Sequence, residues 1–101
     1  MSDDEKVQIK FVTSTEKSHM VDKAVAFTIE KVDEWEGNYG PQWVLLINIP
    51  SVGARKLSFK KGNKERDNVM KNAMQYGGYW TLNFDPFKGK TGYYYIEEAG
   101  S

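Results

Sequence analysis

The sequence predicts an all-β fold: a five-stranded Greek-key barrel with one helix between the third and fourth strands, plus an extra N-terminal strand. Three observations predict it. Most segments alternate apolar and polar residues with the period of a strand, one segment has a helical period, and glycine- or proline-containing turns separate them. The 101 residues suit a single domain over residues 1–101, with residues 1–6 predicted to form a disordered arm.

The first two alternating segments lie in the N-terminal third of the chain. Residues 7–13, VQIKFVT, predict the extra N-terminal strand. Residues 14–20 are polar and are predicted to form a turn. Residues 23–33 alternate again and predict the first barrel strand. Val32 falls out of step in this strand, which indicates a bulge or a strong bend.

The middle of the chain predicts a loop and two further strands. Residues 34–40, EWEGNYG, contain two glycines and an asparagine and predict a loop. Residues 41–49 are almost continuously apolar, as in a buried or strongly coiled strand, and Pro50 ends this run because proline cannot donate to a ladder. Residues 55–60 alternate and predict the third strand, with Phe59 on its core face.

One helix is predicted, at residues 64–76, where apolar side chains recur at helical spacing. Asn63 is a favourable N-cap, and Gly77 stands where a left-handed C-terminal cap is needed. The remaining segments are predicted as a fourth strand at 78–85, a loop at 86–92 and a fifth strand at 93–98.

Composition argues against several classes of protein. The chain contains no cysteine and one histidine, His19, so disulfides, metal sites and Ser-His-Asp catalysis are not expected. We therefore expect no enzyme activity and no cofactor. No apolar run approaches the ~20 residues that span a bilayer, and the acidic start is unlike a secretory signal. These features favour a cytoplasmic protein without a membrane partner.

Charge and aromatic content point towards a binding function. Residues 1–50 contain five lysines against nine Asp or Glu, whereas residues 51–101 contain nine Lys or Arg against five Asp or Glu. A basic half can bind a polyanion, although scatter over a solvated surface accounts for the asymmetry equally simply. Three Trp, six Tyr and five Phe are difficult to bury in so small a core, so some aromatic rings are expected at the surface.

From residue 23 onwards, the element order is the one expected of an OB-fold barrel. The run EGNYGPQWVLLINI resembles the loop and second strand of OB-fold single-stranded DNA-binding proteins, and QYGGYWTLNF resembles their helix end and fourth strand. The resemblance covers residues 23–98 and is closest to the small type encoded by bacteriophages. It implies a role in DNA replication or recombination in the host cytoplasm, with single-stranded DNA and replication or recombination proteins as partners. The acidic C-terminal tail of the cellular bacterial type is not found in this sequence.

OB folds bind single strands across their second and third strands, between the loop joining strands one and two and the loop joining strands four and five. Binding combines aromatic rings that stack on bases with cations that follow the phosphates. In this sequence the predicted nucleic-acid-binding residues are Trp35 and Tyr39 in the first loop, Trp43 in strand two, Arg55, Lys56, Ser58 and Lys60 in strand three, Phe87, Lys88 and Lys90 in the second loop, and Tyr93 and Tyr95 in strand five.

Several alternatives remain open at this point. Trp43 shares a face with Leu45 and Ile47, so the pattern does not decide between the core and the binding face. Single-stranded RNA stacks on the same rings as DNA does. Exposed aromatic rings also form protein interfaces, so a structural or protein-interaction barrel is a second class of function. The segment 7–13 is a candidate edge for a homodimer or larger oligomer.

Overall fold

The computed structural model describes residues 9–38, 40–62, 64–86 and 92–99. Within them the chain forms two helices and five strands. In chain order these are α1 (Ser14–Asp22), β1 (Ala26–Gly37), β2 (Gly40–Ile49), β3 (Gly53–Lys60), α2 (Lys64–Tyr76), β4 (Trp80–Asp85) and β5 (Tyr93–Glu98).

The five strands form one antiparallel sheet in the order β3-β2-β1-β4-β5. The prediction of five strands with a helix between the third and fourth is confirmed. Among the described residues, no backbone pairing joins the edge strands β3 and β5, so the sheet does not close into the predicted barrel.

Strand β1 holds the sheet together because it pairs with two neighbours along different parts of its length. Its first residues, Ala26 and Phe27, pair with β4, whereas Thr28 onwards pairs with β2. The register with β2 shifts between Ile29 and Lys31, which confirms the irregularity indicated by Val32. Such a bulge bends the strand and increases its twist, and here it follows shortly after β1 has changed partners from β4 to β2.

The core lies on one face of this bent sheet and is closed by both helices. Side chains at alternate positions of the strands point into it, together with Met20 of α1 and Met70 and Ala73 of α2. Phe59 is buried as predicted. The largest of the fully buried side chains are Phe27, Leu45, Ile47, Leu57, Met70 and Leu82.

Helix α1 replaces the turn predicted at residues 14–20. The Oγ1 atom of Thr13 accepts from the backbone N–H of Glu16 at 3.1 Å, while the Glu16 carboxylate accepts from the N–H of Thr13 at 2.9 Å. This capping box satisfies two backbone donors at once and defines the helix start. The helix is polar and buries only Met20 completely, so its sequence carries no apolar periodicity that would have indicated it.

The extra N-terminal strand is also corrected. Phe11 forms an isolated parallel bridge with Lys56 on the free edge of β3. Two backbone hydrogen bonds hold it: Val12 N–H donates to the Lys56 carbonyl, and Lys56 N–H donates to the Lys10 carbonyl, both at 2.9 Å. The segment does lie on a sheet edge, but it turns into α1 after one bridge. Residues 1–8 lie outside the described residues.

Helix α2 matches its prediction at both ends of residues 64–76. Gly77 follows it with φ +61°, the left-handed conformation expected of a glycine cap. Asn63, the predicted N-cap, lies outside the described residues.

Candidate functional site

The outer face of β1, β2 and β3, opposite the core, carries a groove of about 380 Å³. Strand alternation places the side chains of Asp33 and Trp35 on this face of β1, Val44 on β2 and Lys56 on β3. Phe11 borders it beyond β3. The residues that line the groove are Phe11, Asp33, Glu34, Trp35, Val44 and Lys56.

Trp35 is the most exposed large apolar side chain among the described residues, with 58% of its surface accessible. It lies within β1, opposite Gln42, because the predicted loop at 34–40 is in fact the end of β1, a tight turn and the start of β2. Its six-membered ring lies over Gly37, where an added Cβ would be 2.8 Å from Cη2 and 2.9 Å from Cζ3. The glycine therefore supports one side of the indole and leaves the rest of the ring accessible.

Phe11 is a groove residue that the sequence analysis did not predict. It is 49% exposed, and the Lys56 Nζ lies 5.7 Å from its ring centroid. That contact is within the range of a cation–π interaction. The sequence pattern placed Phe11 in a regular strand, and nothing in that pattern indicates which sheet edge the segment meets.

The charges beside Trp35 are mixed. Lys31 forms an ion pair with Asp33 at 3.6 Å, and Lys61 is paired with Glu34. A second, more polar depression adjoins the groove and is lined by Glu34, Trp35, Glu36, Pro41 and Lys61. Among the described residues, acidic and basic side chains are therefore interspersed near Trp35.

Trp43 lies in the core, with 4% of its surface exposed, so its ring is not available to stack on a base. The indole N–H donates to the Asp67 Oδ1 atom of α2 at 2.8 Å, and the Lys61 Nζ lies 4.3 Å from the ring centroid. The hydrogen bond from Trp43, together with one from the Gly62 N–H, lowers the pKa of Asp67. Trp43 therefore lies on the core side of the sheet, away from the groove, and connects β2 to α2.

The predicted residues of β3 divide between its two faces. Lys56, Ser58 and Lys60 lie on the outer face, where Ser58 pairs with Val44 beside the groove. Arg55 has the opposite alternation. Its guanidinium lies 3.8 Å from a carboxylate oxygen of Glu16 in α1 and donates to the Ala54 carbonyl at 2.8 Å. Arg55 therefore contacts α1 and is removed from the predicted binding face.

Tyr93 and Tyr95 form a separate aromatic pair on β5, with ring centroids 5.6 Å apart. Tyr94, which lies between them in the chain, packs against the core. The Arg66 guanidinium of α2 lies 4.3 Å from the Tyr93 ring centroid. Burial, followed by the charge of Glu97, raises the pKa of Tyr95.

The first turn of α2 links this pair to the β2–β3 side of the molecule. Arg66 contacts Tyr93, and its neighbour Asp67 bonds Trp43 and Gly62. The predicted residues Tyr39, Phe87, Lys88 and Lys90 lie outside the described residues.

No family model, curated protein or solved structure matches this chain. In the part of the chain that the structure describes, no group of three or more acidic or histidine side chains is arranged to hold a metal ion. Neither described helix is long and apolar enough to cross a membrane. The side chains that line the groove are therefore the basis for its functional assignment.

Proposed function

We propose that this protein binds single-stranded DNA, with little dependence on sequence, along the outer face of β1, β2 and β3. The observation that carries the proposal is the groove in which the exposed rings of Trp35 and Phe11 flank Val44 and Lys56. Stacking of a base on an aromatic ring contributes ~1–3 kcal/mol, and every base has a face that can stack.

The spacing of the two rings supports binding of more than one nucleotide. Trp35 is on β1 and Phe11 is beside β3, so their backbones are three strand spacings, about 14 Å, apart across the sheet. Phe11 also aligns with Lys31, four residues from Trp35, which adds an offset of about 13 Å along the strands. Two different bases of one strand would therefore stack on the two rings. Lys56 and Lys60, on the same outer face, are available for the phosphates between them.

The strand order supports a fold of the OB type. Joining β3 to β5 in the order β3-β2-β1-β4-β5 would give a five-stranded Greek-key barrel, and OB folds are partly open. We therefore propose an OB-type fold, whose ligands bind across the face of the second and third strands. That is the face on which the groove lies.

The wider role follows from this binding activity. We propose that the protein protects or organises single strands during DNA replication or recombination, as the small bacteriophage proteins that it resembles do, in the cytoplasm of a host cell. Binding alone is the proposed activity. Replication or recombination proteins and further copies of this chain are proposed partners.

A titration with oligo-dT tests the proposal through tryptophan emission. Trp35 should supply the quenching, because Trp43 and Trp80 are 4% and 3% exposed. The Trp35→Ala variant should bind a labelled oligo-dT about 5- to 150-fold more weakly, as expected from the loss of one stacked base. Binding by the wild type should also weaken as salt rises, because each contacted phosphate releases counterions.

Tyr79→Ala is the matched control for this experiment. Tyr79 is 53% exposed but precedes β4, whose first residue pairs with Phe27, eight residues before Trp35 on β1. Tyr79 aligns with Thr28, seven residues from Trp35, so at ~3.3 Å per residue the backbones of the two positions are about 23 Å apart along the strand. Equal losses in both variants, or no binding of any oligonucleotide by micromolar wild-type protein, would contradict the proposal. Competition by a matched RNA strand would distinguish RNA from DNA as the preferred ligand.

One observation favours a second candidate, a groove for a protein segment. Asp33 and Glu34 line the groove together with Trp35, Glu36 lines the adjoining depression, and carboxylates near an exposed ring suit a lysine or arginine side chain. In that case a basic peptide would quench Trp35 emission and oligo-dT would not.

A further inference from the structure

Asp33 places a carboxylate inside the aromatic groove, where a protein that recognised only phosphates would carry none. It lies on the outer face of β1, opposite Val44 and two residues before Trp35, so its side chain and the indole are on the same side of the strand. Both residues line the groove. A base held in the groove against Trp35 would therefore share one cavity with this carboxylate.

The ion pair with Lys31 leaves Asp33 able to accept further hydrogen bonds. The pair has a distance of 3.6 Å between Lys31 Nζ and Asp33 Oδ2, and both side chains are more than half exposed. Exposed pairs of this kind contribute little and exchange readily. A carboxylate has two oxygens and about four acceptor positions, of which this contact uses one.

The chemistry of the bases makes such a carboxylate selective. Guanine presents a ring N–H and an adjacent amino group on its Watson–Crick edge, two donors in line with the two oxygens of a carboxylate. Cytosine and adenine each present an amino donor, and carboxylates are known to accept from the cytosine amino group. Thymine presents one N–H between two carbonyl oxygens, and a carboxylate repels these oxygens.

We propose that the position beside Trp35 prefers a base that carries an amino group, above all guanine, over thymine, because Asp33 accepts hydrogen bonds from its edge. This inference rests on the proposed single-strand binding and adds a preference at one position to a site that otherwise tolerates any sequence. Hydrogen bonds contribute modestly in water, so the preference should be about two- to tenfold.

The test compares oligo-dT with the same oligonucleotide carrying one central guanine, cytosine or adenine, using anisotropy of a fluorescent label. A single guanine avoids the self-association of guanine runs and can still reach the site as the strand shifts along the groove. We expect the guanine-containing strand to bind more tightly than oligo-dT, with a ratio that approaches the about two- to tenfold preference at the site as the strand is shortened, because fewer registers then place thymine beside Trp35. In Asp33→Asn this ratio should fall to near one, while binding of oligo-dT is retained or strengthened.

Asp22→Asn removes the same charge at the end of α1 and should keep the wild-type ratio. Equal binding of all four oligonucleotides by the wild type, or a guanine preference that survives in Asp33→Asn, would overturn the inference and leave the proposed function standing. Failure of every oligonucleotide to bind would instead refute the proposed function, and this inference with it.

Discussion

Replacement of Gly37 by alanine tests how the groove holds its exposed ring. A Cβ at this position would be 2.8 Å from Cη2 of Trp35, whereas ordinary van der Waals contact begins at 3.4 Å. The ring must therefore move by at least about 0.6 Å. The backbone of Gly37 is outside the left-handed region, so alanine introduces no backbone strain there.

Two small effects on stability offset each other in Gly37→Ala. Alanine reduces the conformational entropy of the unfolded chain, which stabilises the fold by ~0.4–1 kcal/mol. Displacing an indole from its preferred rotamer costs ~0.5–1.5 kcal/mol. The free energy of unfolding should therefore change by less than about 1 kcal/mol, while binding of oligo-dT falls by part of the ~1–3 kcal/mol that a stacked base contributes.

Tryptophan fluorescence and chemical denaturation measure both effects. Trp35 is the exposed indole, so Gly37→Ala should shift its emission maximum and its quenching by acrylamide. Trp43 and Trp80 are buried and should contribute an unchanged background. If emission and oligo-dT affinity both match the wild type, the ring does not rest on Gly37 and the account of the groove fails.

Three further predictions concern charge and capping. Lys56→Gln should make the fall of log affinity with log salt less steep, by about 0.7, the value for one phosphate contact on a single strand. An unchanged slope in anisotropy titrations would show that Lys56 does not contact a phosphate. Because the folded-state pKa of Asp67 is depressed, its carboxylate stabilises the fold above its ordinary pKa and loses this effect as pH falls through the lowered value. The stability difference between wild type and Asp67→Asn, measured in urea, should therefore be constant near neutral pH and shrink as pH falls below the ordinary pKa of an aspartate. A difference that stays constant in acid would contradict the hydrogen bond from Trp43. Thr13→Ala should lower the free energy of unfolding by about 1 kcal/mol through loss of the α1 cap. A midpoint temperature of thermal unfolding equal to that of the wild type would contradict the capping box formed with Glu16.

The sequence predicted the sheet well because its signals are local. Alternation located β1, β3 and β4, and the single out-of-step residue located the bulge, since a period of two directly reflects which face is buried. Helix α2 has an amphipathic pattern and a glycine stop. Helix α1 has neither: its start depends on the reciprocal bonds of Thr13 and Glu16, and it buries only Met20 completely.

The candidate site was only partly predictable because it depends on contacts between distant segments. Trp35 was predicted as a binding residue of the first loop, and it is exposed at the end of β1. Strand alternation separates Arg55 from Lys56, yet both were assigned to one face because of their charge. Trp43 required knowledge of Asp67, 24 residues away. Phe11 reaches the groove only because its segment docks on the edge of β3.

Photo-crosslinking would show whether Trp35 and Phe11 bind the bases of a single strand, because it reports which side chains contact them. An oligonucleotide carrying 5-iodouracil would be irradiated with the wild-type protein, and the crosslinked peptides would be identified by mass spectrometry. If bases stack on both rings, we expect crosslinks at Trp35 and Phe11. Crosslinks confined to Tyr79 or Phe84, which are also exposed but lie outside the groove, would contradict this expectation.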